Sequence, residues 1–157
     1  MAAMSIIARI EDEMITALRD ALPSAALIAA FPDDARDFDL AQYELAVLVH
    51  YAGARYEAQG LSGPADQMRD LRFALLIYVR GLRGPAGSYE TLEAARKAVQ
   101  NRRFAGSAPV RLIAERLAGE EAGIWQWEME VSVPMLAVAA QLQPRTGGPL
   151  TFEETGT

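Results

Sequence analysis

The stretch 119–134 constrains the fold of this chain most. Taken at every second residue it reads Trp125, Trp127, Met129, Val131 and Val133, with Gln126, Glu128, Glu130 and Ser132 between them. On a helix those five apolar side chains would advance by about 200° per step and scatter round the cylinder, whereas on a pleated strand they all point one way. The run predicts a strand with one dry face and one wet face. Both tryptophans of the chain lie on the dry face. Burying two indoles and three aliphatic side chains is worth roughly 1.5–3 kcal/mol each, so the rest of the chain must supply a layer that covers them.

Two segments have the pattern to be that layer. Over 4–22, Ile6, Ile7, Ile10, Met14, Ile15, Leu18 and Leu22 recur at three- and four-residue steps, which predicts an amphipathic helix capped at Ser5 and stopped by Pro23. Over 89–101, Leu92, Ala95, Ala98 and Val99 make a second stripe, with Ser88 as its N-cap. The other segments read as strands. Residues 26–31 form a short one between Pro23 and Pro32. Residues 44–52 carry apolar side chains on both faces (Leu45, Val47, Val49 and Tyr51 against Ala46, Leu48 and His50), which predicts a central strand ending at Gly53. The segment 54–66 then reads as a long connection carrying Arg55 and Tyr56. Residues 67–80 alternate over the longest stretch, and 109–117 should form a hairpin with the tryptophan run across 120–123.

The register of that hairpin stays open. Opposed residue numbers summing to 244 place Arg116 opposite Glu128 and Leu117 on the tryptophan face; a sum of 243 brings Val110, Leu112 and Ala114 there instead. The order of elements predicts an α+β fold, a mostly antiparallel sheet with two helices packed on one face. Residues 1–136 make a single domain, and 137–157, beyond Pro134 and containing Pro144, Gly147, Gly148 and Pro149, read as a flexible tail.

The residue inventory argues against most chemistry. The 157-residue chain has no cysteine and one histidine, so it offers no disulfide, no thiolate and no histidine pair. With 15 basic and 21 acidic residues its charge is −6, which opposes general nucleic-acid binding. No apolar run reaches the roughly 18 residues of a membrane span, and no basic, apolar leader opens the chain, so neither membrane insertion nor export is expected. His50 reads as a structural mid-strand residue. Asp33, Asp34, Asp37 and Asp39 lack the glycine and bidentate glutamate of a calcium loop and read as a solvated loop. Glu120 and Glu121 read as turn residues, since neighbours at a strand end diverge. Gly81, Gly84 and Gly87 lack the P-loop spacing and its lysine, and read as a turn. The expectation is no catalytic residue, no cofactor and no metal.

Four segments carry a family resemblance: Ala46-Val-Leu-Val-His-Tyr-Ala-Gly-Ala-Arg-Tyr56, Arg72-Phe-Ala-Leu-Leu-Ile-Tyr-Val-Arg-Gly-Leu-Arg-Gly84, Tyr89-Glu-Thr-Leu-Glu-Ala-Ala-Arg96 and Leu117-Ala-Gly-Glu-Glu-Ala-Gly-Ile-Trp-Gln-Trp127. In this order they resemble a small family of tail proteins from Mu-like phages and prophages. The resemblance implies a protein similar to the tail terminator. Such a protein is a structural, non-enzymatic α+β subunit of a ring, typically a hexamer, at the head-proximal end of the virion tail. The ring is assembled in the host cytoplasm, ends growth of the tail tube and meets tube and neck proteins, and DNA passes its lumen without specific binding. Other expectations compatible with the residues are another neck or tail-completion protein, a ligand-binding or enzymatic domain with the tryptophans in a pocket, and a monomeric immunity or chaperone-like protein.

A ring needs two different patches on one chain. The residues that suggest themselves are Arg55 and Tyr56 in the long connection, Arg80 and Arg83 by the glycine turn, and Glu120 and Glu121 at the hairpin tip. Tyrosine and arginine are favoured at interface centres.

Overall fold

The computed structural model describes residues 4–34, 36, 39–58 and 67–138. Two helices, α1 (Ile6–Ala21) and α2 (Ser88–Val99), accompany five strands: β1 (Leu27–Ala30), β2 (Leu45–Tyr56), β3 (Gln67–Arg80), β4 (Arg111–Glu121) and β5 (Ile124–Ala137). The sheet order is β1-β2-β3-β5-β4, with β1 parallel to β2 and every other pair antiparallel. This is the α+β arrangement that the pattern predicted.

Helix α1 begins where Ser5 accepts a hydrogen bond from the Ala8 N–H (3.1 Å), a cap worth about 1 kcal/mol, and ends at Leu22 before Pro23. Its buried stripe is Ile10, Met14, Ile15, Ala17 and Leu18. Arg19 donates two bonds to the Ile28 carbonyl, fastening the last turn to β1. The Ala105 N–H donates to Glu13 (2.9 Å), fastening α1 to the loop that follows α2.

The pairing aligns the apolar residues in rows across the strands. Ile28, Val47, Ile77 and Trp127 form one row, Val49, Leu75 and Met129 a second, Tyr51, Phe73 and Val131 a third. The helices cover this face, and Val47, Val49, Phe73, Leu75, Ile77 and Val131 are wholly buried in one cluster with the stripes of α1 and α2. The opposite face of β2 is also dry near its start, at Ala46 and Leu48, as expected for a central strand.

Several details differ from the sequence expectation. Strand β2 does not stop at Gly53. A bulge between Tyr51 and Gly53, with Gly53 at φ +122°, takes up one extra residue, and the strand resumes to Tyr56. Arg55 and Tyr56 are therefore strand residues, opposite Asp70 and Arg69. Strand β5 runs through Pro134 to Ala137. The Pro134 carbonyl accepts from the Ala108 N–H (2.9 Å), so this residue's backbone polar groups face away from β3, and its missing N–H breaks no β3–β5 bond. The N-cap of α2 is Gly87. Ser88 is the first helical residue, and its buried hydroxyl donates to the Gly81 carbonyl (2.8 Å). Strands β3 and β5 are equally long at 14 residues.

Both hairpin registers occur. Leu117↔Trp127, Arg116↔Glu128, Glu115↔Met129 and Ala114↔Glu130 follow the sum of 244, while Leu112↔Val131 and Arg111↔Ser132 follow 243, with a shift between Leu112 and Ala114. A second shift between Leu117 and Gly119 brings the end of the hairpin to Glu121↔Ile124. The turn is then two residues, Ala122 (φ 53°) and Gly123 (φ 81°), the positive-φ pair of a type I′ turn. Trp125 and Trp127 are only half-buried. The fully buried part of β5 begins at Met129.

Candidate subunit interface

The six residues singled out as contacts fall at opposite ends of the sheet. Arg80 pairs with Ile124, which pairs with Glu121, so Arg80, Glu120 and Glu121 share the end where β4 turns into β5, and Arg83 follows in the next turn. Arg55 and Tyr56 lie at the other end. Asp70, opposite Arg55, precedes Arg80 by ten residues of β3, a span of about 33 Å.

Not all of them are free to bind. The Arg80 Nε donates to the Tyr43 carbonyl (3.3 Å), and its backbone N–H donates to the Glu44 carbonyl (3.2 Å), so this arginine closes the start of β2. The Arg83 guanidinium lies over the Tyr89 ring, 5.5 Å from its centroid. The Glu120 carboxylate accepts from the Gly123 N–H (3.1 Å) and braces the turn, while Glu121 is exposed with no ion pair among the described residues. Arg55 is exposed beside an aspartate that is already engaged, because Asp70 accepts from Arg72 (2.7 Å) and from the Ser132 hydroxyl.

The end of the sheet at Arg55 has a property that the sequence reading missed. Tyr56 (56% exposed) ends β2 opposite Arg69, while Met68 (37%), at the start of β3, is directly opposite Leu136 (46%) near the end of β5, with Val138 (70%) just beyond it, so Tyr56 lies on the other face of the sheet from Met68 and Leu136. Among them Arg69 has a buried Nε with no hydrogen-bond partner among the described residues. Exposed apolar side chains thus stand on both faces of this three-stranded tongue, Met68 and Leu136 on one and Tyr56 on the other, and such exposed apolar clusters mark interaction sites. The sequence signal for it is the apolar run after Pro134, which continues β5 to Ala137.

The other candidates have structural explanations. Asp34 forms an ion pair with Arg36 (2.8 Å), which holds its carboxyl below the usual range, and Asp39 accepts from the Ala41 N–H at the start of a 3-10 turn, Leu40–Gln42. Asp37 lies outside the described residues, among which no cluster of three metal-ligating side chains occurs. His50 packs edge-on to Phe31 (5.7 Å) in mid-strand. In the glycine turn the first amides of α2 are already engaged, Ser88 N–H with the Gly81 carbonyl and Tyr89 N–H with the Leu82 carbonyl, so they form no anion cradle. Gly87 is required there, since a Cβ would sit 2.5 Å from the Arg83 carbonyl oxygen.

The uncovered sheet face carries paired charges. Glu128 accepts from Arg116 (2.9 Å), and Arg72 bridges Asp70 and Glu130 (3.6 Å to the latter). Beside the sheet, a groove of about 690 Å³ opens between the end of α2 and the start of β4, lined in part by Arg96, Lys97, Gln100, Asn101 and Arg111.

None of the curated proteins matches this chain. Among solved structures, a chain of the virion of a native gene transfer agent particle shares the fold with a TM-score of 0.55 at 9% identity, over 86% of this chain and 100% of that one. The family model described as Gp37 protein matches residues 14–154, nearly the whole sequence, and the chain therefore belongs to the Gp37 protein family.

Proposed function

We propose that this protein is a structural, non-enzymatic component of a phage-like virion, and within it the tail terminator, a ring of identical subunits that ends growth of the tail tube and joins it to the neck. Family membership, the fold shared with a gene transfer agent virion chain and the resemblance to Mu-like tail proteins support the virion reading. The observation that carries the ring is the tongue. A monomer gains nothing by exposing Met68 and Leu136 on one face of this sheet end and Tyr56 on the other, beside Arg55, which makes no ion pair among the described residues, whereas a subunit needs such anchors. In this reading Tyr56 is the buried anchor and Arg55 the charged contact, and both reach an adjacent subunit. The domain is 1–136, with β5 carrying it one residue further to Ala137, and the residues that follow are an appended tail. Residues Glu128 and Glu130, being paired with arginines, add little to an acidic lumen; Glu120 and Glu121 remain to repel DNA or to meet a neighbour.

The test is the double variant Arg55→Glu with Tyr56→Ala. Both side chains are exposed, so the isolated subunit should keep its thermal midpoint. Rings should be lost and tails should grow beyond their set length. Normal rings and normal tails from this variant would remove the tongue from the interface.

A further inference from the structure

The groove between α2 and β4 has features of a docking site for an acidic, protruding partner. On its floor is Val110, whose carbonyl accepts from the Asn101 N–H (3.0 Å), and its walls carry Arg96, Lys97, Gln100 and Arg111. Arg96 is bonded to Glu93 and to the Gln100 side chain (2.9 Å) and also feels Glu115, so its charge is largely answered within the chain. Lys97 and Arg111 are exposed and make no ion pair among the described residues. Two cations without an ion pair among the described residues, Lys97 also feeling Glu93, therefore stand beside side-chain amides at an open concavity on a chain whose net charge is −6.

The matching shape stands at the far end of the same strand. Strand β4 packs chiefly on β5, and all of its residues but Leu112 and Gly119 are exposed, so the β4–β5 hairpin projects from the body. Its tip is a tight two-residue turn, braced by Glu120, that presents Glu121 without an ion pair among the described residues. Arg111 and Glu121 are ten residues apart on β4, about 33 Å, so the tip cannot enter its own groove.

We infer that the acidic β4–β5 tip of one copy seats in the α2–β4 groove of the next, Glu120 and Glu121 meeting Lys97 and Arg111. This inference rests on the ring reading and supplies its second contact. The groove and the tongue lie toward one end of the sheet and the tip lies at the other, so a head-to-tail contact engages two different patches. That is the heterologous geometry that closes a ring.

The absence of cysteine makes the test direct. Lys97→Cys with Glu121→Cys, oxidised mildly on assembled rings, should give a ladder of covalent oligomers. A disulfide needs Cα atoms about 4.4–6.8 Å apart, so no bond can form within one chain. In parallel, Lys97→Glu with Arg111→Glu, and separately Glu120→Lys with Glu121→Lys, should each raise the concentration for half-assembly about 100-fold, and mixing the two variants should restore alternating assembly. Rings from the wild type with no ladder, or rings unaffected by both reversals, would overturn this contact and leave the ring reading standing. A wild type that stays monomeric both free and on tail tubes would overturn both. Loss of retention on immobilised DNA by the groove variant, with rings intact, would assign the cations to nucleic acid and overturn the contact.

Discussion

Trp127 sits in a row with Ile77 and Val47 under the helices, but it is half-buried, and its indole N–H is enclosed without an acceptor among the described residues. Replacing a fully buried tryptophan by alanine costs about 3–5 kcal/mol. With roughly half of that area already in water, Trp127→Ala should cost about 2 kcal/mol, which for a domain of this size is a fall in midpoint of roughly 4–8 °C. Met129, one position along the same face and 1% exposed, should cost more despite its smaller side chain, about 3 kcal/mol on change to alanine. The conservative change Trp127→Phe removes a little area and also an unsatisfied buried donor, a defect of about 1–3 kcal/mol, so the two effects should nearly cancel. Urea unfolding followed by far-ultraviolet circular dichroism, at a concentration where the chain is monomeric, measures all three. A loss of about 4 kcal/mol for Trp127→Ala together with a loss of 2 kcal/mol or more for Trp127→Phe would show that the ring is core and its N–H is bonded, and would refute this reasoning.

Ala122 holds φ at 53° in the type I′ turn, a conformation that costs a residue with a Cβ roughly 1 kcal/mol, so Ala122→Gly should stabilise the fold by a similar amount in equilibrium unfolding. Burial, and secondarily the charge of Asp12, raises the Glu11 carboxyl above its ordinary value of 4.5. The folded state therefore binds this proton more tightly than the unfolded one, and the residue weakens the fold once pH rises above the raised value. Glu11→Gln should raise the thermal midpoint at pH 7, and the gain should vanish below the ordinary carboxylate range. Ser88→Ala removes a buried hydroxyl bond to Gly81 and should lower stability by about 1 kcal/mol, read from the same unfolding curves.

The sheet and its helix layer were legible because alternation and three-to-four spacing report directly which face is dry: Val47, Leu75, Met129 and Leu18 are all buried as their periods require. What was not legible traces to single backbone irregularities. A bulge at Gly53 resets the alternation, so Arg55 and Tyr56 looked like loop when they continue β2. Pro134 looked like an end because a sequence does not say toward which neighbour a strand residue's N–H would point. The hairpin register was undecidable because shifts at Leu112/Ala114 and Leu117/Gly119 let one ladder use both sums. Of the proposed contact residues, Arg55, Tyr56, Arg83, Glu120 and Glu121 are exposed, whereas Arg80 is tied into the start of β2 through Tyr43. The groove was invisible because it joins the end of a helix to the start of a strand, and no local pattern links Lys97 to Arg111.

The most direct measurement of the central claim is electron microscopy of tails made in cells with and without this protein, together with labelling of the protein on finished tails. The account predicts a ring of this chain at the head-proximal end of each tube, and tubes of uncontrolled length without heads when it is missing. Tails of normal length joined to heads in its absence would contradict the account, as would label found anywhere other than that end.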